Sequence, residues 1–140
     1  MKLKTSPLKI NTPIKPNNVS GVKLSTAASS MKYKNRDDLL LMSMSPNTKV
    51  CGFLTKSSTA SHAVLWCKKV LKNKKARALI VNAGIANVFT GKKGKKSLKK
   101  IIEQTSKTLG LNKDEVLIAQ TGVIGEFVPE EKILIHLDYL

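Results

Sequence analysis

Apolar positions in this chain fall into short runs and longer stripes, and the two spacings separate strands from helices. Val22–Leu24, Asp38–Ser43, Lys49–Leu54, Ala78–Val81 and Val116–Ala119 are short runs bounded by polar or turn-forming residues, and predict strands. Ser45-Pro46-Asn47 supplies the turn between the second and third of them. Val64, Leu65, Cys67, Val70 and Leu71 recur near the helical period, which predicts a helix over 63–72 with Ser61 before it and Asn73 as its stop. Leu98, Ile101, Ile102, Thr105 and Leu109 form an i, i+3, i+4 stripe, predicting a helix over about 97–109 that ends on Gly110. Asn112 and Glu115 have the spacing of a capping box, and Pro129 opens a last helix from Glu130 to about Leu137 with acids in its first turn. The alternation predicts a mixed α/β (α+β) layer.

Residues 1–20 are rich in Pro, Asn and Lys without a sustained period, and predict an extended basic arm ahead of a domain over 21–140. The N-terminus lacks the apolar core of a secretory signal, and no run reaches the roughly 20 apolar residues of a membrane span, so a cytoplasmic location is expected. Cys51 and Cys67 have neither a CxxC spacing nor a histidine cluster beside them, which predicts free thiols and no metal site. A length of 140 residues and 41% apolar content allow one domain with a real core.

The net charge of +16 raises a second function class, a small basic nucleic-acid-binding module. Lysines 68, 69, 72, 74 and 75 and lysines 92, 93, 95, 96, 99 and 100 carry most of that charge. Arg36 and Arg77 are the two arginines, and aromatic residues make up 4% of the chain, so the planar forks and stacking platforms of such readers are sparse. A solvated lysine surface accounts for the charge better.

Two small-residue segments carry the candidate chemistry. Asn82-Ala83-Gly84-Ile85-Ala86-Asn87-Val88-Phe89-Thr90-Gly91 and Thr121-Gly122-Val123-Ile124-Gly125 each follow an apolar strand, with one amphipathic helix between them. A strand opening into a glycine loop brings unhindered N–H groups to its end, where they can hold a negatively charged oxygen. The plainer reading is a pair of strand-to-helix connections, with Thr121 capping a turn, Gly122 supplying positive φ, and Asn82 and Asn87 bonding their own loop. No G-x-S-x-G elbow or phosphate-binding G-x-x-x-x-G-K-[ST] occurs, His62 reads as a surface residue at a helix start, and Asp37-Asp38 reads as turn chemistry.

Val81-Asn82-Ala83-Gly84-Ile85-Ala86-Asn87 through Thr90-Gly91 resembles the V-N-S-G-x-A-N-x-x-T-G signature of the ornithine acetyltransferase family, the bifunctional glutamate N-acetyltransferases/amino-acid acetyltransferases of arginine biosynthesis. Thr121-Gly122-Val123-Ile124-Gly125 resembles the same family's T-G-V-I-G element, with weaker echoes at Asp38–Met42 and Val50–Thr55. The likeness runs over about residues 20–135. Ile85 stands where the family usually has a second Asn, and Ser61-His62-Ala63-Val64 where it has A-A-P-V.

The resemblance implies an α/β/β/α sandwich, of which this chain would form part. It also implies acetyl transfer from N-acetylornithine to glutamate through an acetyl-threonine made at an autocatalytic cleavage site, without a bound cofactor; some members also accept acetyl-CoA. Thr121 and Gly122 match the family's oxyanion-hole positions, whereas Asn82 and Asn87 are weaker substrate-binding candidates. The family's nucleophile lies in a later K-G-x-G-M-I-x-P-x-M-A-T motif that these residues do not contain, so 21–140 is expected to be the front of such a domain, inactive alone and completed by further chain or a partner chain. Replacing Gly122 with a bulkier residue, or Thr121 with Val, is expected to lower kcat far more than stability.

Overall fold

A computed structural model describes residues 7–8 and 17–140, so most of the predicted arm lies outside the described residues. The chain order is β1 (Val22–Ala27), β2 (Leu39–Met44), α1 (His62–Val70), β3 (Ala78–Ile85), α2 (Gly91–Leu109), β4 (Val116–Val123) and α3 (Glu130–Leu137), with single 3-10 turns at Leu71–Asn73 and Lys113–Glu115. The four strands form one sheet in the order β1-β2-β3-β4. β1–β2 and β2–β3 are antiparallel; β3 and β4 are parallel, joined by the α2 crossover that a parallel pair requires.

Side chains alternate cleanly through the sheet. Leu39, Leu41, Ala78, Ile80, Val116 and Ile118 are buried beneath the helices, together with Ile101 and Ile102 of α2 and Ile133 and Leu137 of α3. The intervening positions, Leu40, Met42, Leu79, Val81 and Leu117, are only half-buried, and Ala119 is exposed. The helices thus cover one face of a sheet that is apolar on both, as strands built for two covers would be.

Local signals behave as their chemistry requires. The Ser61 hydroxyl accepts from the Val64 N–H at 3.2 Å and caps α1. Gly110 takes the left-handed conformation at φ 62° and ends α2. Glu115 accepts from the Asn112 N–H at 3.0 Å, closing the capping box, and α3 begins at Glu130 as expected.

Three expectations are corrected. Lys49–Leu54 is not a strand: Lys49 makes one isolated bridge to Lys75, and Phe53 stands fully in solvent. β3 is already flanked on both sides, and α1 side chains occupy the outer edge of β4, so this extended segment has no edge there to join. α2 starts at Gly91, well before the predicted 97, because the buried positions of its first turns are Gly94 and Ser97 rather than apolar residues. Finally, β3 and β4 run on through Ile85 and Val123, so the front of each glycine segment is paired strand and not loop.

Candidate functional site

At the C-terminal ends of β3 and β4, Ala83 pairs with Thr121 and Gly84 with Gly122. Gly122 has φ +130°, and a Cβ built there would strike the Gly84 carbonyl group and come within 2.6 Å of the Ile85 nitrogen. Only glycine lets the two strands run this close. The sequence-based expectation for Gly122 therefore needs revision: a bulkier residue would break the strand pairing, whatever it did to chemistry.

The direction of the Gly122 N–H follows from the ladder. Ala86 N–H donates to Val123 C=O at 2.8 Å, which fixes the odd-numbered positions of β4 as the ones bonded to β3. The even-numbered positions then point their backbone groups to the outer edge. Two of them show it: the Trp66 indole donates to Val116 C=O at 2.8 Å, and the Cys67 thiol donates to Ile118 C=O at 3.2 Å. The same alternation aims the Gly122 N–H off that outer edge, beyond the last α1 side chain that caps it. Thr121 beside it is exposed, on the half-covered face with Leu117 and Ala119, and its hydroxyl makes no hydrogen bond among the described residues. One rotatable O–H and one outward N–H are thus left together at a strand end.

Around this pair, buried bonds hold the backbone. Asn82 Nδ2 donates to Ile85 C=O at 2.9 Å, and Asn87 Nδ2 to Gly94 C=O at 2.9 Å, while the Thr90 hydroxyl bonds Asn87 Oδ1. Both asparagines are buried, so their amides shape the turn between β3 and α2. Ile85, at the position of the family's second Asn, is buried in the core. Asp38 is buried too and accepts from Ser29 N–H, Ser29 O–H and Met31 N–H at 2.6, 2.7 and 2.6 Å. This fixes a strap over Gly84, where an added Cβ would meet Lys32 Cβ at 2.9 Å. Lys32 reaches on to Glu126 at 2.7 Å, tying the strap to the loop after β4. His62 Nε2 lies 3.0 Å from Gly91 C=O and joins the starts of α1 and α2.

One residue next to the pair escaped the sequence reading. Gln120 precedes Thr121, and both polar atoms of its buried carboxamide lack partners among the described residues. It lines a largely apolar cavity of about 320 Å3 with Cys67, Val64, Leu79 and Leu117. The signal was present: a polar residue closes an otherwise apolar strand just before Thr121. Cys67 itself is inert chemistry, because burial pushes its thiol up from the ordinary value, partly offset by the Ile118 N–H, which donates to Sγ at 3.5 Å.

The model of the ArgJ family matches residues 23–140. The arginine biosynthesis bifunctional protein ArgJ of Bradyrhizobium diazoefficiens is 47% identical over 108 residues, covering 77% of this chain and 26% of that protein. Its counterpart from Rhizobium meliloti is 41% identical over 135 residues, 96% of this chain and 33% of that protein. The chain therefore spans between a quarter and a third of the length of these relatives. Among solved structures, ArgJ of Bacillus halodurans superposes with a TM-score of 0.80 at 26% identity, over 85% of this chain and 62% of that one. The ornithine acetyltransferase of Mycobacterium tuberculosis, solved with ornithine, gives 0.82 at 28% identity, over 86% and 66%.

Proposed function

We propose, from the premise that this chain belongs to the ArgJ family, that it supplies the oxyanion-binding wall of an N-acetyltransferase of arginine biosynthesis. The observation that carries the reading is the juxtaposition of the free Thr121 hydroxyl with the outward Gly122 N–H at the end of β4. Acyl transfer from N-acetylornithine to glutamate, or from acetyl-CoA, passes through a tetrahedral intermediate whose oxygen carries negative charge. Two donors at that oxygen, one a backbone N–H and one a hydroxyl that can turn to it, lower the barrier because their bonds are stronger to the oxyanion than to the ground-state carbonyl. The strap held by Asp38 and the Asn82 and Asn87 bonds hold the neighbouring β3 backbone against which Gly122 is set. No titration of Thr121 is needed; it donates throughout.

The nucleophile comes from outside these residues. A threonine hydroxyl needs an adjacent base, and a threonine made N-terminal by chain cleavage carries one in its own α-amine. The half-covered sheet face beside Thr121 is where the chain segment bearing such a threonine would pack, completing an α/β/β/α sandwich. The lysines of α2 remain its solvated face.

The test is Thr121→Val in the complete enzyme. The side chains are close in shape, and the hydroxyl has no partner to lose, so the variant should fold and unfold like the parent. Its kcat for acetyl transfer should fall about 10²–10³-fold, the usual consequence of losing one oxyanion donor. A normally folded variant with near-parental kcat removes Thr121 from the mechanism.

A further inference from the structure

The other end of the sheet holds an unused cation. Arg77 immediately precedes β3, about 20 Å from Gly84 at the rise of a β-strand, so nothing here belongs to the glycine pair. Its Nε is buried and has no hydrogen-bond partner, and no ion pair includes its guanidinium among the described residues. Nε itself is closed to solvent, so the terminal Nη groups, which are not buried, are the donors left for a partner, and a carboxylate is their best geometric match. Neighbouring acids do not serve it. Glu115, whose backbone accepts from Arg77 N–H, turns its carboxylate to Asn112 instead.

Arg77 lines a cavity of about 350 Å3 between the start of β1, the turn after β2 and the end of α2. Lys23 adds a second cation and Ser45 a hydroxyl, whereas Met44, Leu109 and Leu111 make an apolar floor; among the described residues no Asp or Glu lines it. The volume corresponds to roughly ten water molecules. We propose that this cavity binds a small aliphatic carboxylate, its carboxylate on Arg77 and Lys23 and its hydrocarbon stem on Met44, Leu109 and Leu111. A bare inorganic anion would leave the apolar floor unused, and a neutral aliphatic molecule would leave the Arg77 and Lys23 cations unused.

Hexanoate is a suitable probe, titrated calorimetrically into the intact native protein at low salt, with inorganic phosphate and hexan-1-ol as comparisons. Saturable hexanoate binding is expected, at least tenfold tighter than either comparison, and weakened at least tenfold by Arg77→Met. Ser45→Asp, at an exposed turn position, places a carboxylate on the cavity wall and should abolish binding without disturbing the fold. That variant carries the test if Arg77→Met fails to fold. Absence of saturable hexanoate binding overturns the proposal. So does phosphate or hexan-1-ol binding as tightly as hexanoate, or Ser45→Asp binding it like the parent.

Discussion

Thr121 and Gly122 are neighbours with different duties. The hydroxyl of Thr121 is free, so its loss should appear in kcat; Gly122 is held by the backbone of the next strand, so any side chain should appear in stability first. Gly122→Ala must place a Cβ against Gly84 and sustain φ +130°, a region L-residues rarely adopt. Denaturant unfolding should show a loss of about 2 kcal/mol or more, the scale of overpacking and backbone strain combined. A Gly122→Ala protein as stable as the parent would mean that the strands can separate here. The two cysteines differ in the same physical way. Cys51 is exposed and Cys67 buried with a raised pKa. Iodoacetamide at pH 8 should label Cys51 and spare Cys67 until denaturant is added. Because the folded Cys67 value lies above the unfolded one, its contribution to stability is complete below the ordinary thiol value near 8.5 and fades as pH rises through the folded value. Equal labelling of both thiols in the native protein would contradict the burial.

At the level of elements, what the sequence disclosed depended on whether burial used apolar residues. The stripe Leu98, Ile101, Ile102, Thr105 revealed the body of α2, but Gly94 and Ser97 are buried on the same side and carry no hydropathy signal. The extensions of β3 and β4 were hidden likewise, since Gly84 and Gly122 look like loop residues and are there for close strand approach. Lys49–Leu54 failed for the opposite reason: it has strand composition, and strand formation needs a partner edge that hydropathy does not report. Gly94 gives a case where two effects compete. Gly→Ala inside a helix ordinarily stabilises by about 1 kcal/mol. Here the new methyl would collide with the Thr90 hydroxyl and the Asn87 carboxamide, both buried and bonded to one another. Overpacking at a rigid polar cluster costs about 1–3 kcal/mol and leaves the Asn87 bonds broken. Gly94→Ala should therefore lower the unfolding free energy despite the better helix propensity. A stabilised variant would show that the turn gives way freely.

For the molecule as a whole, the distribution of apolar surface decides behaviour. The sheet is apolar on both faces, and the described helices α1, α2 and α3 pack on the side of Ile80 and Ile118. Leu40, Met42, Leu79, Val81 and Leu117 remain half-buried on the other side, next to the candidate oxyanion donors. Such a contiguous apolar patch is an association surface. The charge of +16 opposes association between identical copies but is concentrated on lysines, which are long and easily kept away from an approaching sheet. Burial should prevail over repulsion once salt screens the charges, with a Debye length of about 8 Å at physiological ionic strength. Expressed alone, these 140 residues should thus bind a hydrophobic dye strongly and show little acetyl transfer from N-acetylornithine to glutamate. Sedimentation should show self-association that increases with salt. If the proposed function holds, supplying a segment that bears a nucleophilic threonine, in the same chain or in trans, should suppress dye binding and produce activity together, because one packing event would cover the apolar face and bring the nucleophile to Thr121. A monomeric chain that neither binds dye nor needs that segment for activity would place both the cover and the nucleophile within these residues and overturn the proposed function.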